Sequence, residues 1–281
     1  MKESILLSAE ALETRLGDSD LIAVDCRFDL DRTEAGKALW LKGHIPGARY
    51  AHLDNDLSSP IEPHTGRHPL PTTENFARFL SRIGWQEGRL LVAYDDGPGA
   101  IASRLWWLMR FYGKPAALLD GGFEAWRKSG FDIENGEVET AAAPLPSLTP
   151  NQGMMVETRD LESSLQDVVL VDARTSERFR GEVEPLDARA GHIPGAVSYP
   201  FGRNLEINGR FRPADELRED FEDFLGGAPI DAVVHSCGSG VSACHNLFAM
   251  ELAGLPGSRL YAGSWSEWIR DPQRPIATGT K

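Results

Sequence analysis

The stretch HIPGA at His44–Ala48 occurs a second time at His192–Ala196. A VDxR segment precedes each copy, at Val24–Arg27 and Val171–Arg174. Two further blocks match in the same order. VAYDDGPG at Val92–Gly99 aligns with VVHSCGSG at Val233–Gly240, and the aromatic pair Phe123 and Trp126 aligns with Trp265 and Trp268. Four matched blocks indicate that the chain contains two copies of one unit. The alternative is that each block is a turn shared by unrelated α/β units.

Short apolar runs alternate with segments of helical spacing in both halves. The predicted strands are Leu21–Val24, Leu90–Tyr94, Ala116–Leu119, Val168–Val171, Ala232–His235 and Arg259–Tyr261. The predicted helices are Glu74–Ile83, Ala100–Tyr112, Phe123–Ser129, Ala214–Leu225, Val241–Leu252 and Trp265–Arg270. This alternation predicts an α/β fold in each half, with a mainly parallel sheet covered by helices on both faces.

The segment 134–153 is rich in Pro, Ala and Gly and has no periodicity, so it is predicted to link two domains, residues 1–133 and 154–281. A first helix is predicted after Ser8, which is a candidate N-cap, with Leu12 and Leu16 on its inner face.

The composition excludes several function classes. The 281 residues are 41% hydrophobic and 25% charged, as in ordinary soluble proteins, and the net charge of -13 argues against nucleic acid and anionic membranes as partners. No apolar run approaches the roughly 18 residues that span a bilayer, and the N-terminal region is too acidic for a signal peptide. Three cysteines without CxxC spacing suggest neither disulfides nor zinc, so a cytoplasmic location is expected.

The stretch VVHSCGSGVSACHNL, Val233–Leu247, places Cys237 between a predicted strand and a predicted helix. Ligands of open α/β sheets bind beyond the carboxyl ends of the strands. The amides of a curled Gly-rich loop, with the helix N-terminus behind them, form a concavity that binds anions. We therefore expect Cys237 to exist largely as a nucleophilic thiolate near neutral pH.

The alternative for Cys237 is a small buried core residue, which free cysteines often are. The repeat favours the nucleophile, because the first half keeps the Gly-x-Gly spacing but has Asp96 at the aligned position. A carboxylate cannot perform thiolate chemistry, so the first loop is predicted to be inactive. Cys26 and Cys244 are interpreted as structural.

Two thiolate chemistries use such a loop. A phosphatase requires an arginine six residues after the cysteine, where this chain has Ala243. Sulfur transfer remains, in which the thiolate accepts a sulfane sulfur and holds it as a persulfide anion.

The repeated blocks and the cysteine loop together resemble the rhodanese family of sulfurtransferases, in its two-domain form with an inactive N-terminal copy and a catalytic C-terminal copy. The loop CGSGVSA, Cys237–Ala243, resembles the C-G-S/T-G-V-T-A loop of the 3-mercaptopyruvate sulfurtransferases; the thiosulfate branch has C-R-K-G-V-T-A. Ser242 keeps the hydroxyl of the family's threonine. The ending GSWSEW, Gly263–Trp268, is similar to the same branch. The resemblance implies a substrate-binding loop that contains Gly238, Gly240, Val241 and Ser242.

The resemblance further implies that Cys237 takes sulfur from 3-mercaptopyruvate, a small-molecule donor, and releases pyruvate. A thiol such as thioredoxin, or cyanide in an assay, would then accept the sulfur, and no metal or organic cofactor is implied. Two alternatives stay open. One is a thiosulfate:cyanide sulfurtransferase on the same scaffold, and the other is a non-catalytic persulfide carrier or redox-sensing module.

The substrate carboxylate calls for arginines. The family places two before the second HIPGA block, and Arg178 matches the first. The second normally follows a Glu-Pro pair, but Leu186 follows that pair here, so Arg189 is the nearest substitute. The alternative for Arg178 and Arg180 is that they are solvated charges at a helix end.

The family has been given a Ser–His–Asp relay, which by resemblance would be Ser239, His44 and an acid near Asp31, in a cleft between the domains. Such a relay could protonate the departing enolate. The alternative, which we favour, is that His44 and His192 are turn residues of the repeated motif.

His64 and His68 have a spacing that could suggest metal ligands, but prolines flank them and no third ligand is evident, so no metal is predicted. The segment that holds them is expected to be a loop leaning over the cleft.

Overall fold

The predicted strands form two parallel sheets in a computed structural model that describes residues 4–280. The chain divides into two compact units, each built around one of these sheets. The first unit holds the chain up to Ser59, Leu70–Asn151 and Ile207–Phe211, and the second holds Pro60–Pro69, Gln152–Glu206 and the chain from Arg212 onward. Residues 60–69 therefore join the second unit, although they come early in the chain. The predicted limits at residues 1 and 281 lie outside the described residues.

The first unit contains five strands and five α-helices among its described residues, in the chain order β1 (Leu6–Leu7), α1 (Ala9–Glu13), β2 (Leu21–Asp25), α2 (Ala35–Lys42), β3 (Arg49–Tyr50), α3 (Thr73–Arg82), β4 (Leu90–Tyr94), α4 (Ala102–Phe111), β5 (Ala116–Leu119) and α5 (Gly122–Lys128). The sheet has the order β1-β5-β4-β2-β3 and every pair is parallel. Every residue of β2, β4 and β5 is buried. A parallel sheet buries its strands in this way when helices cover both faces.

The second unit repeats the arrangement with α6 (Thr158–Ser164), β6 (Val169–Asp172), α7 (Ser176–Arg180), β7 (Val197–Ser198), α8 (Ala214–Leu225), β8 (Val233–Ser236), α9 (Ala243–Leu252), β9 (Arg259–Leu260) and α10 (Ser264–Trp268). Its sheet has the order β7-β6-β8-β9, again with parallel pairs. The predicted α/β class is thereby confirmed. Within residues 4–280, no helix combines the length and the apolar character that crossing a bilayer requires.

The capping prediction for the first helix agrees with the structure. The Ser8 hydroxyl accepts the amide hydrogen of Ala11 at 3.2 Å, and Leu12 is buried in the core. The sequence pattern missed three edge strands of two residues each, β1, β3 and β7, although it found β9, which is equally short. The predicted linker is hydrogen-bonded to the first unit, for example from the Ala143 amide to the Ser81 carbonyl at 2.9 Å.

The repeated VDxR and HIPGA blocks meet inside each unit. Arg27 donates to Asp25 at 2.6 Å and to the carbonyl of the glycine before HIPGA at 2.6 Å. Arg174 makes the same two bonds, to Asp172 at 2.7 Å and to the corresponding glycine at 2.7 Å. All four charged side chains are buried. A buried charge is tolerated when it is paired and hydrogen-bonded, so these blocks recur for structural reasons.

Candidate active site

Cys237 lies at the carboxyl end of the second sheet. It directly follows β8, whose last residue, Ser236, pairs with Asp172 at the end of β6. The residues from Cys237 to Ser242 form the loop that leads into α9. Cys237 itself is 2% exposed. The strand ends therefore present the thiol where α/β sheets bind ligands.

The loop holds the sulfur by a backbone hydrogen bond. The Gly240 amide donates to Sγ of Cys237 at 3.1 Å. The amide of Cys237 donates to the Ser264 hydroxyl at 3.0 Å, and its carbonyl accepts from the Trp265 amide at 3.0 Å. The first turn of α10 therefore fixes the backbone of the cysteine, while the loop presents N–H to its sulfur. This arrangement suits a sulfur that becomes anionic.

Gly240 is required by its backbone. Its φ is 75°, and a β-carbon there would lie 2.2 Å from the carbonyl oxygen of Ala262. No other residue fits such an approach without moving the chain. Val241, which is buried, and Ser242, which is partly exposed, complete the loop between Cys237 and α9.

Two guanidinium groups lie next to Gly238. A β-carbon on Gly238 would be 2.8 Å from Nη2 of Arg67 and 3.4 Å from Nη2 of Arg178. Asp187 joins the two arginines, since it accepts from Nε of Arg67 at 2.9 Å and from Nη2 of Arg178 at 3.2 Å. The structure thus places Arg178 beside the loop. It also places Arg67 beside the loop, and no sequence pattern indicated this residue.

A second carboxylate supports this cluster. Glu184 accepts from Arg178 at 2.7 Å and from Arg174 at 3.3 Å. Burial alone would raise the pKa of Glu184, but the hydrogen bond and charge of Arg178 outweigh it and leave that pKa below its ordinary value. Burial would lower the pKa of Arg174, yet Asp172 and Glu184 raise it, and attraction to the Cys237 sulfur adds to their effect. Glu184 and Arg174 therefore both stay ionised.

Arg189, the predicted second arginine, has a different environment. Its backbone carbonyl accepts the indole N–H of Trp265 at 2.8 Å. Within residues 4–280, Nη1 of Arg189 is buried and has no hydrogen-bond partner. The second guanidinium next to Gly238 belongs to Arg67 instead.

Ser239 has a histidine partner, but a different one from that predicted. Its hydroxyl lies 2.7 Å from Nδ1 of His68, and both side chains are buried. His68 belongs to the segment 60–69 of the second unit. Its neighbour His64 is exposed and faces Glu62. The sequence signal for His68 was its proline-flanked segment, which carried no indication of this partner.

His44 is a structural residue of the first unit. Its Nδ1 hydrogen-bonds the Trp40 carbonyl at 2.7 Å, and its ring stacks on Trp40 with centroids 4.9 Å apart. In the second unit, Nδ1 of His192 hydrogen-bonds the Phe179 carbonyl at 2.7 Å, and its ring stacks on Phe179 with centroids 3.7 Å apart. The predicted relay through His44 is corrected accordingly, because this ring is committed to packing and Ser239 pairs with His68. Asp31, its predicted acid, is exposed and donates its amide to Asp29 at 3.0 Å.

The first repeat has a carboxylate where the second has the thiol. Asp25 and Asp172 are equivalent residues of the two VDxR blocks, and in the sheets they pair with Tyr94 and Ser236, respectively. Tyr94 is therefore equivalent to Ser236, and the next residue, Asp95, is equivalent to Cys237. This corrects the sequence alignment, which used Asp96. The Asp95 carboxylate accepts four backbone amides at 2.9 to 3.3 Å, from Gly97, Gly99, Ile101 and Ala102. The first loop therefore binds its own anion.

The other two cysteines are buried. Burial is the main cause that raises the pKa of Cys26 well above its ordinary value. Cys244 belongs to α9, and its thiol donates to the Gly240 carbonyl at 3.4 Å. Among the described residues, no group of His, Cys, Asp and Glu has an arrangement that could hold a metal ion.

A family model described as a rhodanese-like domain matches residues 8–129 and again residues 157–271. The Pseudomonas aeruginosa protein named "Probable 3-mercaptopyruvate sulfurtransferase" is 47% identical, with 99% of this chain and 100% of that protein covered. A Mycobacterium tuberculosis protein whose name places it with the thiosulfate sulfurtransferases, SseB, is 37% identical over 98% of each chain. The crystal structure of Escherichia coli SseA, described as a 3-mercaptopyruvate sulfotransferase, matches with a TM-score of 0.81 at 31% identity, covering 94% and 100% of the two chains. The chain belongs to the rhodanese family, and it is a sulfurtransferase with two rhodanese-like domains.

Proposed function

We propose that this enzyme moves sulfur from 3-mercaptopyruvate through a persulfide on Cys237 to a thiol acceptor, with release of pyruvate. The observation that carries the proposal is the 3.1 Å bond from the Gly240 amide to Sγ of Cys237. A backbone donor aimed at that sulfur stabilises negative charge on it. The names of the relatives support the choice of donor.

The transfer step balances without an oxidant or reductant. The Cys237 thiolate attacks the donor sulfur, a sulfur–sulfur bond forms, and the carbon–sulfur bond breaks. The electron pair passes to the carbon, giving the enolate of pyruvate, and the proton of the donor thiol ends on that carbon. A second thiolate, from thioredoxin or a small thiol, then attacks the outer sulfur and restores the Cys237 thiolate. Cyanide would do the same in an assay.

The pair of Ser239 and His68 is suited to move that proton. Its hydroxyl and imidazole are within hydrogen-bond distance at 2.7 Å, and Ser239 lies two residues after the nucleophile. Hydroxyl and imidazole groups both donate and accept protons, so the pair can take the proton from the donor thiol and deliver it to the enolate.

Thiosulfate is the second candidate donor. The 37% identity to a relative named for thiosulfate favours it, and two guanidinium groups beside Gly238 suit a dianion. The loop itself carries no charged residue between Cys237 and Ala243, which favours the keto acid. The ratio of kcat/KM for the two donors decides between them, and a strong thiosulfate preference would overturn our choice.

The most informative test is mass spectrometry of the protein after incubation with each donor, combined with a pyruvate assay. We expect 3-mercaptopyruvate to add one sulfur atom to the Cys237 peptide and to release pyruvate. Cys237→Ser should abolish both signals. Cys26→Ala is the matched control, because the second repeat has Ala173 at the equivalent position. Near-normal activity in Cys237→Ser would refute the nucleophile, while sulfur loading without turnover would indicate a persulfide carrier.

A further inference from the structure

Arg67 is held in place by the same helix that fixes the cysteine loop. The Arg67 amide donates to the Ser266 hydroxyl at 3.0 Å, and the Gly66 amide donates to Glu267 at 3.3 Å. The Arg270 side chain donates to the Thr65 carbonyl at 2.9 Å. Three contacts with α10 and the residues just after it therefore fix the backbone on which Arg67 stands.

The Arg67 guanidinium is also oriented. It makes a two-point pair with Asp187, from Nε at 2.9 Å and from Nη2 at 3.2 Å. The Asp187 side chain is 3% exposed, whereas that of Arg67 is 21% exposed. Arg178 uses the same two nitrogens for Glu184 and Asp187. In the described part of the chain, these bonds leave Nη1 of both arginines for a ligand.

The position lacking an arginine is Leu186, the residue after the Glu184-Pro185 pair. A leucine side chain carries no group that binds a carboxylate, so the second of the two arginines that the resemblance implies is missing from that position. We propose that Arg67 takes over this role and that it binds the carboxylate of the α-keto acid donor together with Arg178. The inference deepens the proposed function and rests on it. Asp187 then acts as a positioning residue that holds the two guanidinium groups side by side next to Gly238.

The test compares Arg67→Ala and Arg67→Lys with the wild-type enzyme. We expect Arg67→Ala to raise KM for 3-mercaptopyruvate about tenfold to a hundredfold, which is the usual effect of losing a charged hydrogen bond. KM for the acceptor, cyanide, should not change. Arg67→Lys should recover part of the loss, because it keeps the charge but not the two-point geometry. Arg180→Ala is the matched control, since Arg180 pairs with the exposed Glu182.

A second substrate separates binding of the carboxylate from support of the loop. The wild type should prefer 3-mercaptopyruvate over its uncharged methyl ester, and Arg67→Ala should reduce that preference at least about tenfold. If Arg67 only supports the fold, both substrates lose activity equally and the preference stays. That result, or an unchanged KM in Arg67→Ala, overturns the inference while leaving the proposed function intact. A wild type that releases no pyruvate overturns both.

Discussion

Asp95 and Cys237 occupy the same position in the two repeats. The Asp95 carbonyl accepts the amide hydrogen of Phe123 at 2.8 Å, and the Cys237 carbonyl accepts that of Trp265 at 3.0 Å. One loop surrounds a carboxylate with four amides, and the other directs an amide at a sulfur. Backbone amides therefore stabilise a fixed anion in one unit, and under the proposed function they stabilise a reacting sulfur in the other.

We expect Asp95→Ala to lower the unfolding free energy of the first unit by about 3 kcal/mol, because it leaves four amide donors, two buried and two partly buried, without their acceptor. Urea denaturation measures this loss. Asp96→Ala is the matched control, since Asp96 is exposed and its nearest cation, Arg27, lies 3.8 Å away. Equal stabilities of the two variants would contradict the role given to the Asp95 carboxylate.

Gly240→Ala should force the backbone of the cysteine loop out of its present conformation. The positive φ and the 2.2 Å approach to the Ala262 oxygen together predict a loss of at least about 2 kcal/mol in stability, with sulfur loading of Cys237 reduced more than tenfold. Gly202→Ala, where a β-carbon meets nothing within 4 Å, should be harmless. Thermal unfolding and mass spectrometry report the two effects, and a fully active Gly240→Ala would show that the loop geometry is not required.

Ser239→Ala and His68→Gln should each lower kcat about a hundredfold with little change in KM, since the pair is proposed to move a proton and not to bind the donor. His64→Gln is the control, because His64 is exposed in the same segment. Steady-state kinetics of pyruvate release distinguish the variants. Wild-type kcat in His68→Gln would remove this histidine from the mechanism.

Arg178→Ala should raise KM for 3-mercaptopyruvate and also lower stability, because the buried Glu184 then loses its 2.7 Å partner. Arg178→Lys should keep more stability than Arg178→Ala. Kinetics and thermal unfolding, run on the same samples, separate the two consequences. An unchanged KM would leave the substrate clamp unsupported.

Acid should destabilise the second unit through His235. Burial lowers the pKa of His235 to about 3 from its ordinary 6.5, so the folded state stays neutral while the unfolded state takes up a proton below about pH 6.5. Stability is therefore lost as the pH falls. Between about pH 7 and 5.5 the loss due to this group is about 1 kcal/mol. His235→Leu should show a correspondingly shallower decrease in urea denaturation, and an identical decrease would contradict the assignment.

The fold could be predicted because its signals are local. The apolar run of β4 and the periodic helix α8 were bounded correctly to the residue. The signal for the proposed nucleophile was also local, since Cys237 follows a strand and precedes a Gly-rich turn. The alignment placed Asp96 opposite Cys237, one residue too far along, because two adjacent aspartates, Asp95 and Asp96, fit that position equally well in sequence. The pairing of Tyr94 with Asp25 identifies Asp95 as the equivalent residue.

The partners of the nucleophile could not be predicted in this way. His68 and Ser239 are 171 residues apart, and Arg67 and Asp187 are 120 apart. No periodicity connects such pairs, because they meet only when residues 60–69 fold onto the second unit. The resemblance suggested His44 for the relay, whereas the repetition of its motif favoured a structural role, which agrees with the stacking of its ring on Trp40.

The allocation of residues 60–69 has a practical consequence for dissecting the enzyme. A fragment beginning at Gln152 would retain Cys237 and all four strands of its sheet, but it would leave Arg67 and His68 behind. Under the roles proposed for Arg67 and His68, we expect such a fragment to keep the thiol but to lose donor binding and proton transfer, so dividing the chain between its two repeats should not give an active enzyme.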